Sequence, residues 1–113
     1  MSQELLPAWA DELAEAFRSA GPNVDEKVMF GGRAFLVDGR LMGHVELRAN
    51  ALRVRFRLPE PQRHALEARP HYDPASPLPA LLVVTQDDRD FARSLVRHAY
   101  RFARSERRPA RRR

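Results

Sequence analysis

Two histidines and one acid are the residues in this sequence best suited to chemistry. His44 and Glu46 lie two positions apart in a run of strand-forming residues, so we expect their side chains on one face. His71 would join them if the proline-rich segment that carries it folds back over the sheet. Two imidazoles and a carboxylate suit zinc, iron or manganese, and such a set would support a metal-assisted enzyme. No His-x-x-x-His spacing supports a metal site, so a second interpretation stays open. In it, Glu46 pairs with Arg53 on the next strand.

A pair of glycines marks a second candidate site. Gly31 and Gly32 lack Cβ atoms and would let a ligand approach the backbone, although a bend in the strand explains them more simply. If they converge with His44, His71 and Tyr72, the resulting concave surface would also contain arginines. Such a surface would suit a small anion or an acidic peptide. These five residues are the predicted ligand site, with no catalytic residue and no cofactor assigned.

Arginines form two further groups, one on a strand and one on a helix. Arg53, Arg55 and Arg57 alternate with apolar residues, as in a strand with one wet face. The helical group and the basic end of the chain, together with one aromatic that we expect to be exposed, resemble surfaces that bind single-stranded nucleic acid. That predicted nucleic-acid surface comprises Arg93, Arg97, Tyr100, Arg101, Arg104, Arg107 and Arg108. The alternative is an ordinary solvated face.

Composition and charge reduce the number of functions that the sequence can support. The 113 residues include no cysteine, which excludes a disulfide scaffold, a thiolate metal site and a cysteine nucleophile. The net charge is +5, and residues 107–113 alone contain five arginines and no acid. Residues 1–106 are therefore neutral overall, and the basic character belongs to the end of the chain. A short basic end can bind phosphate backbones without sequence preference.

The expected location and domain organisation follow from the same composition. No apolar run approaches the ~18 residues that span a membrane, and the acidic N-terminal segment has no basic region of a signal peptide. We therefore expect a cytoplasmic protein without membrane association. We predict one α+β domain over residues 1–104 and a disordered basic tail over residues 105–113.

Hydrophobic periodicity predicts the elements that would position these side chains. Leu6, Trp9, Leu13 and Phe17 form one apolar stripe on a first helix. Thr85 followed by Asp88 resembles a capping box that begins the last helix. The predicted order is α-β-β-β-α-β-α: an antiparallel sheet of about four strands packed by helices, with elements near residues 7–20, 28–37, 41–47, 52–58, 61–68, 80–84 and 85–104.

The first hairpin decides which face of the sheet His44 occupies. Asp38-Gly39 is a strong hairpin signal. A two-residue turn there pairs Phe35 with Met42 and puts His44 on the face of Phe35. A three-residue loop puts His44 on the opposite face, and the sequence does not choose between the two.

The next hairpin has a better defined register. A turn near Ala49-Asn50 pairs Glu46 with Arg53 and His44 with Arg55, which keeps polar side chains opposite one another. We therefore expect His44 to lie beside an arginine. A sheet of this kind leaves an exposed edge, so pairing of two copies into a homodimer is a further hypothesis.

The order of several short motifs over residues 28–103 resembles the small bacterial luciferase-domain family. The motifs are Phe30-Gly31-Gly32, Gly43-His44-Val45-Glu46, Pro70-His71, the apolar run 81–84 and the helix 89–102. Glu46 stands where the family has a second histidine, and Ser76 to Pro79 replaces a Ser-Gly-Trp step, so a site at those positions would be altered. The biochemical role of the family is unsettled, and the family name does not imply light-producing chemistry.

A looser similarity is to the N-terminal domains of TfoX-like competence regulators. They share the Met-Phe-Gly-Gly step at residues 29–32, followed by a hairpin turn. This similarity implies a related α+β architecture and a regulatory or interaction role. We therefore favour a non-catalytic module that binds a small ligand or a protein, with nucleic-acid binding and metal-assisted catalysis as the alternatives.

Overall fold

A six-stranded antiparallel sheet organises the part of the chain, residues 4–105, that this computed structural model describes. The sheet order is β1-β2-β3-β4-β6-β5. The helices are α1 (Leu5–Arg18), α2 (Glu60–Glu67) and α3 (Gln86–Ser105). The strands are β1 (Val24–Met29), β2 (Gly32–Val37), β3 (Arg40–Arg48), β4 (Ala51–Phe56), β5 (Tyr72–Asp73) and β6 (Ala80–Leu82).

The predicted sheet of about four strands is wrong, because the observed order is α-β-β-β-β-α-β-β-α. The predicted strand over residues 28–37 is two strands, joined by a turn at Phe30-Gly31. β1 begins at Val24 and carries Asp25, Glu26 and Lys27, so it shows no apolar alternation. β5 has only two residues and exists through its pairing with β6.

Three consecutive two-residue turns build the meander from β1 to β4. They lie at residues 30–31, 38–39 and 49–50, and both central residues of each have positive φ, as type I′ turns require. The Ala49-Asn50 turn produces the expected register: Glu46 lies opposite Arg53 and His44 opposite Arg55.

A bulge in β3 decides where His44 points. The Asp38-Gly39 turn has two residues, but Phe35 pairs with Gly43 and not with Met42, which is the extra residue of the bulge. His44 therefore lies on the face opposite Phe35. Neither predicted alternative included a bulge, and the single extra residue reverses the side-chain alternation of the rest of β3.

Helices α1 and α3 pack on the face of the sheet that carries Phe35. The Phe17 ring of α1 stacks on the Phe35 ring with centroids 4.9 Å apart, and it lies 5.8 Å from the Phe56 ring. A Cβ at Gly43 would collide with the Phe17 ring, so this close packing requires glycine. The other face of β3 and β4, called here the polar face, carries His44, Glu46, Arg53 and Arg55.

The structure describes the C-terminal part of the chain only as far as residue 105. α3 continues to Ser105, one residue beyond the predicted domain boundary at 104. Ser105, the first residue of the predicted disordered tail, is thus helical, and the rest of that tail, residues 106–113 with Arg107 and Arg108, lies outside the described residues. Among residues 4–105, no helix combines the length and apolar composition that crossing a membrane requires.

Candidate functional site

A pocket of about 470 Å³ lies on the polar face of β3 and β4. Its volume falls within the range typical of small-molecule sites. Its polar floor consists of His44, Glu46, Arg48 and Arg55, and its apolar walls consist of Phe30, Leu41, Pro77 and Leu78. Phe30 comes from the β1–β2 turn, whereas Pro77 and Leu78 come from the β5–β6 loop. The sheet order puts β3 and β4 between these two walls.

The His44 imidazole is held on both sides. Its Nε2 lies 2.9 Å from the Met29 carbonyl oxygen, and its Nδ1 lies 3.1 Å from Nη1 of Arg55. A carbonyl only accepts and a guanidinium only donates, so these contacts assign the proton to Nε2 and make Nδ1 an acceptor. His44 is 2% exposed. Neither nitrogen is left for a metal ion or for proton transfer.

Glu46 is a buried carboxylate that arginines surround. Its Oε1 accepts a hydrogen bond of 3.0 Å from Arg55 and lies 3.9 Å from Arg53, while its Oε2 accepts one of 3.4 Å from Arg48. Burial raises the pKa of Glu46, but the hydrogen bond and charge of Arg55, helped by Arg48 and Arg53, outweigh burial and hold this pKa below its ordinary value. The expected Glu46–Arg53 pairing is present, although Arg55 is the closer partner.

The two arginines of the pocket differ in how many of their guanidinium donors already make hydrogen bonds within the protein. Arg55 donates to His44 and Glu46 and, through Nε, to the Ser76 hydroxyl at 2.9 Å, which ties the β5–β6 loop to the floor. The Arg48 side chain is 72% exposed, and its one hydrogen bond within residues 4–105 is the 3.4 Å bond to Glu46. The donors of Arg48 at the rim are thus free for a ligand. With Glu46 ionised, the side chains of Glu46, Arg48 and Arg55 together carry one net positive charge.

The glycine pair lies beside this floor, as predicted. A Cβ at Gly32 would lie 2.9 Å from Cε1 of His44, so only glycine lets the imidazole lie this close to β2. Gly31 has φ +76°, and a Cβ there would lie 3.6 Å from Glu46 and 3.7 Å from Arg48. Gly31, Gly32 and His44, three of the five predicted ligand-site residues, therefore come together.

The structure does not bring His71 and Tyr72 to the pocket. Tyr72 lies on β5, pairs with Leu81 and packs against the apolar core on the helix side of the sheet. His71 bonds Asp88 of α3. Within residues 4–105 no group of three or more His, Cys, Asp or Glu is placed to hold a metal ion, so His44, Glu46 and His71 are not assembled as the hypothesised ligand set.

Asp88 forms a separate cluster at the beginning of α3. Its Oδ2 accepts from the backbone N–H groups of Val84 and Thr85, each at 3.0 Å, and from Nδ1 of His71 at 2.7 Å. The Asp88 N–H donates in return to the Thr85 hydroxyl at 3.1 Å, which confirms the capping box. Burial raises the pKa of Asp88, but the two backbone N–H groups and His71 lower it by more, so this pKa lies below its ordinary value.

The arginines of α3 lie on a different surface from the pocket. Arg93, Arg97 and Arg101 are exposed and make no hydrogen bond or ion pair with another residue of the described range. Tyr100 is 7% exposed, and its hydroxyl donates to the Pro22 carbonyl at 2.8 Å and accepts from Arg104 at 2.9 Å. The expectation of an exposed aromatic beside these arginines is therefore wrong.

Comparison with known proteins finds nothing similar. No protein-family model matches the chain, and no curated protein and no solved structure matches it. The luciferase-domain and TfoX-like resemblances therefore stay predictions.

Sequence reasoning missed most of the residues that line the pocket. It did not select Arg48, Pro77 or Leu78, and it did not select Phe30 as a wall of a site. One signal could have found part of the site: the predicted pairing of His44 with Arg55 already placed a guanidinium beside the imidazole. For Pro77 and Leu78 no local pattern indicated that their loop approaches β4.

Proposed function

We propose that this protein binds a small molecule that combines an apolar body with one negative charge. The observation that carries the proposal is the pocket on the polar face, with apolar walls and one net positive charge on its floor. Small-molecule sites are typically lined by apolar groups with a few placed polar groups. A pocket with one excess positive charge suits a monoanion better than a cation or a neutral polar ligand.

The side chains of the floor have distinct roles in this proposal. Arg48 faces the rim with free donors, and a planar guanidinium matches a carboxylate through two parallel hydrogen bonds. Glu46 holds Arg48 and Arg55 in place and neutralises one of their charges. His44 supports Arg55 from the floor. Since both imidazole nitrogens and both Glu46 oxygens already have partners, the arrangement favours binding over catalysis.

A titration of the ¹⁵N-labelled full chain with 2-naphthoate and with decanoate tests the proposal. We expect at least one of these anions to cause saturable NMR shifts in the amides of residues 30–32 and 44–48. Arg48→Ala should weaken that binding about tenfold, because it removes a charged hydrogen-bonding partner. Arg97→Ala, an exposed arginine outside the pocket, is the matched control and should leave affinity unchanged. The proposal is wrong if neither anion shifts these amides.

Nucleic-acid binding is a second candidate, supported by the exposed row of Arg93, Arg97 and Arg101. In the described part of the chain no exposed aromatic lies beside this row, so binding would rest on phosphate contacts and fall steeply with salt. We expect a variant with alanine at all three positions to bind short single-stranded DNA more weakly, with a shallower salt dependence over ~50–200 mM. Equal binding and equal slope in the two proteins would exclude this surface.

A further inference from the structure

Phe30 adopts a backbone conformation that its side chain disfavours. Its φ is +53° at the first central position of the β1–β2 turn, where glycine, asparagine and aspartate are preferred. A bulky residue at positive φ is uncommon, and conformations of this kind collect at functional sites. Phe30 is also 75% exposed, so burial of its ring contributes little to the stability of the fold.

The conformation of Phe30 directs its ring to the pocket. The ring meets the His44 imidazole edge to face, with centroids 6.2 Å apart and planes at 62°. The Met29 carbonyl and Arg55 fix the imidazole, so the phenyl ring meets a rigid neighbour. On the other side of the floor, the bond between Arg55 and Ser76 holds the loop that carries Pro77 and Leu78. The pocket thus has one aromatic wall and one aliphatic wall.

We infer that the ligand is an aromatic carboxylate, with its ring against Phe30 and its carboxylate at Arg48; this inference rests on the proposed function above. An exposed phenyl ring interacts with an aromatic ligand through offset stacking or edge contacts, beyond the burial that an aliphatic chain would also provide. A carboxylate carries the single negative charge that the floor complements, and its planar shape matches the guanidinium.

Two variants of Phe30 distinguish the contribution of the ring to ligand binding from its contribution to the stability of the fold. Phe30→Asn removes the ring and introduces a residue that tolerates positive φ, so we expect the variant to unfold at a temperature no lower than the original protein. Phe30→Tyr keeps the ring and its position. For each protein, calorimetric titration of the full chain with 2-naphthoate and with decanoate measures the two affinities.

The expected result is a preference for 2-naphthoate that depends on the ring. Phe30→Asn should weaken 2-naphthoate binding about tenfold and decanoate binding clearly less, whereas Phe30→Tyr should keep the preference. Equal affinity for both anions, or equal weakening of both by Phe30→Asn, would overturn the aromatic assignment and leave the proposed function standing. If neither anion binds, both proposals fall.

Discussion

Two clusters in this molecule contain the same three residue types, and one of them forms the floor of the pocket on the polar face. In the first, His44 and Arg55 lie around Glu46 of β3. In the second, His71 and Arg69 lie 2.7 Å and 3.6 Å from the carboxylate of Asp88 at the beginning of α3. Each acid is at most 5% exposed. In each, burial raises the pKa of the acid, and its hydrogen-bond partners lower this pKa below its ordinary value. Both acids therefore lie ionised inside the protein.

The partners of the two acids differ. Asp88 accepts from two backbone N–H groups, and the Asp88 carboxylate joins the beginning of α3 to the loop that carries His71. Within residues 4–105, Glu46 accepts hydrogen bonds only from arginine side chains, and one of these, Arg48, keeps free donors at the rim of the pocket. A carboxylate that backbone groups occupy stabilises a chain segment, whereas one that orders guanidinium groups prepares a surface for an anion.

Removing each carboxylate in turn should give the largest difference in stability between the two clusters. Asp88→Ala should lower the free energy of unfolding by about 3 kcal/mol, because it leaves the N–H groups of Val84 and Thr85 without their acceptor and breaks the contacts of the buried carboxylate with His71 and Arg69. Glu46→Ala should cost about 1 kcal/mol, since Arg55 keeps Ser76 and His44 as partners and Arg48 is exposed to water. Urea denaturation of both variants measures the difference, and equal costs would contradict the distinction.

A methyl group on Gly32 tests how closely the pocket cluster is packed. Gly32→Ala should lower the free energy of unfolding by about 2 kcal/mol and abolish binding of the anion probe, because the new Cβ meets the His44 ring and the Val45 carbonyl. Gly39→Ala is the control, since it has a positive φ but no neighbouring atom within 4 Å. It should cost about 1 kcal/mol through backbone strain and leave binding intact. Retained binding in the Gly32 variant would mean that the position of His44 does not matter for the ligand.

The pH dependence of stability is the smallest expected effect. A carboxyl group whose pKa is lower in the folded state binds a proton more readily when the chain is unfolded. Its contribution is therefore complete above the unfolded value near pH 4 and is lost as the pH falls through the folded value. Between about pH 2.5 and pH 5, Asp88→Ala and Glu46→Gln should each reduce the slope of unfolding free energy against pH, by at most about 1.4 kcal/mol per unit.

Denaturation series at several pH values would measure these slopes. Asp87→Asn, a change at an exposed acid next to Asp88, is the matched control and should leave the slope nearly unchanged. A slope that stays the same in the Asp88 variant would contradict the role assigned to this carboxylate.

Local patterns were sufficient for several features of the fold. The three helices, the positions of the turns at 38–39 and 49–50, the Thr85–Asp88 capping box and the pairing of β3 with β4 all follow from signals within a few residues of each other, whereas the length of the first of these turns did not. The Phe-Gly-Gly step was visible as well, but a strand bend and a hairpin turn share the same glycine signal. β1 was missed because charged residues conceal its periodicity.

The amino-acid sequence by itself determined which residues form helices, where the later hairpins turn and that His44 lies opposite Arg55. Only the tertiary structure decided that Phe30 and Pro77 both line the pocket above that pair, and that His71 bonds Asp88 of α3 and does not reach the pocket. The physical reason is that side chains alternate along a strand with a period of two. One bulged residue, Met42, therefore exchanges the faces, and contacts between distant segments then select which residues form the pocket.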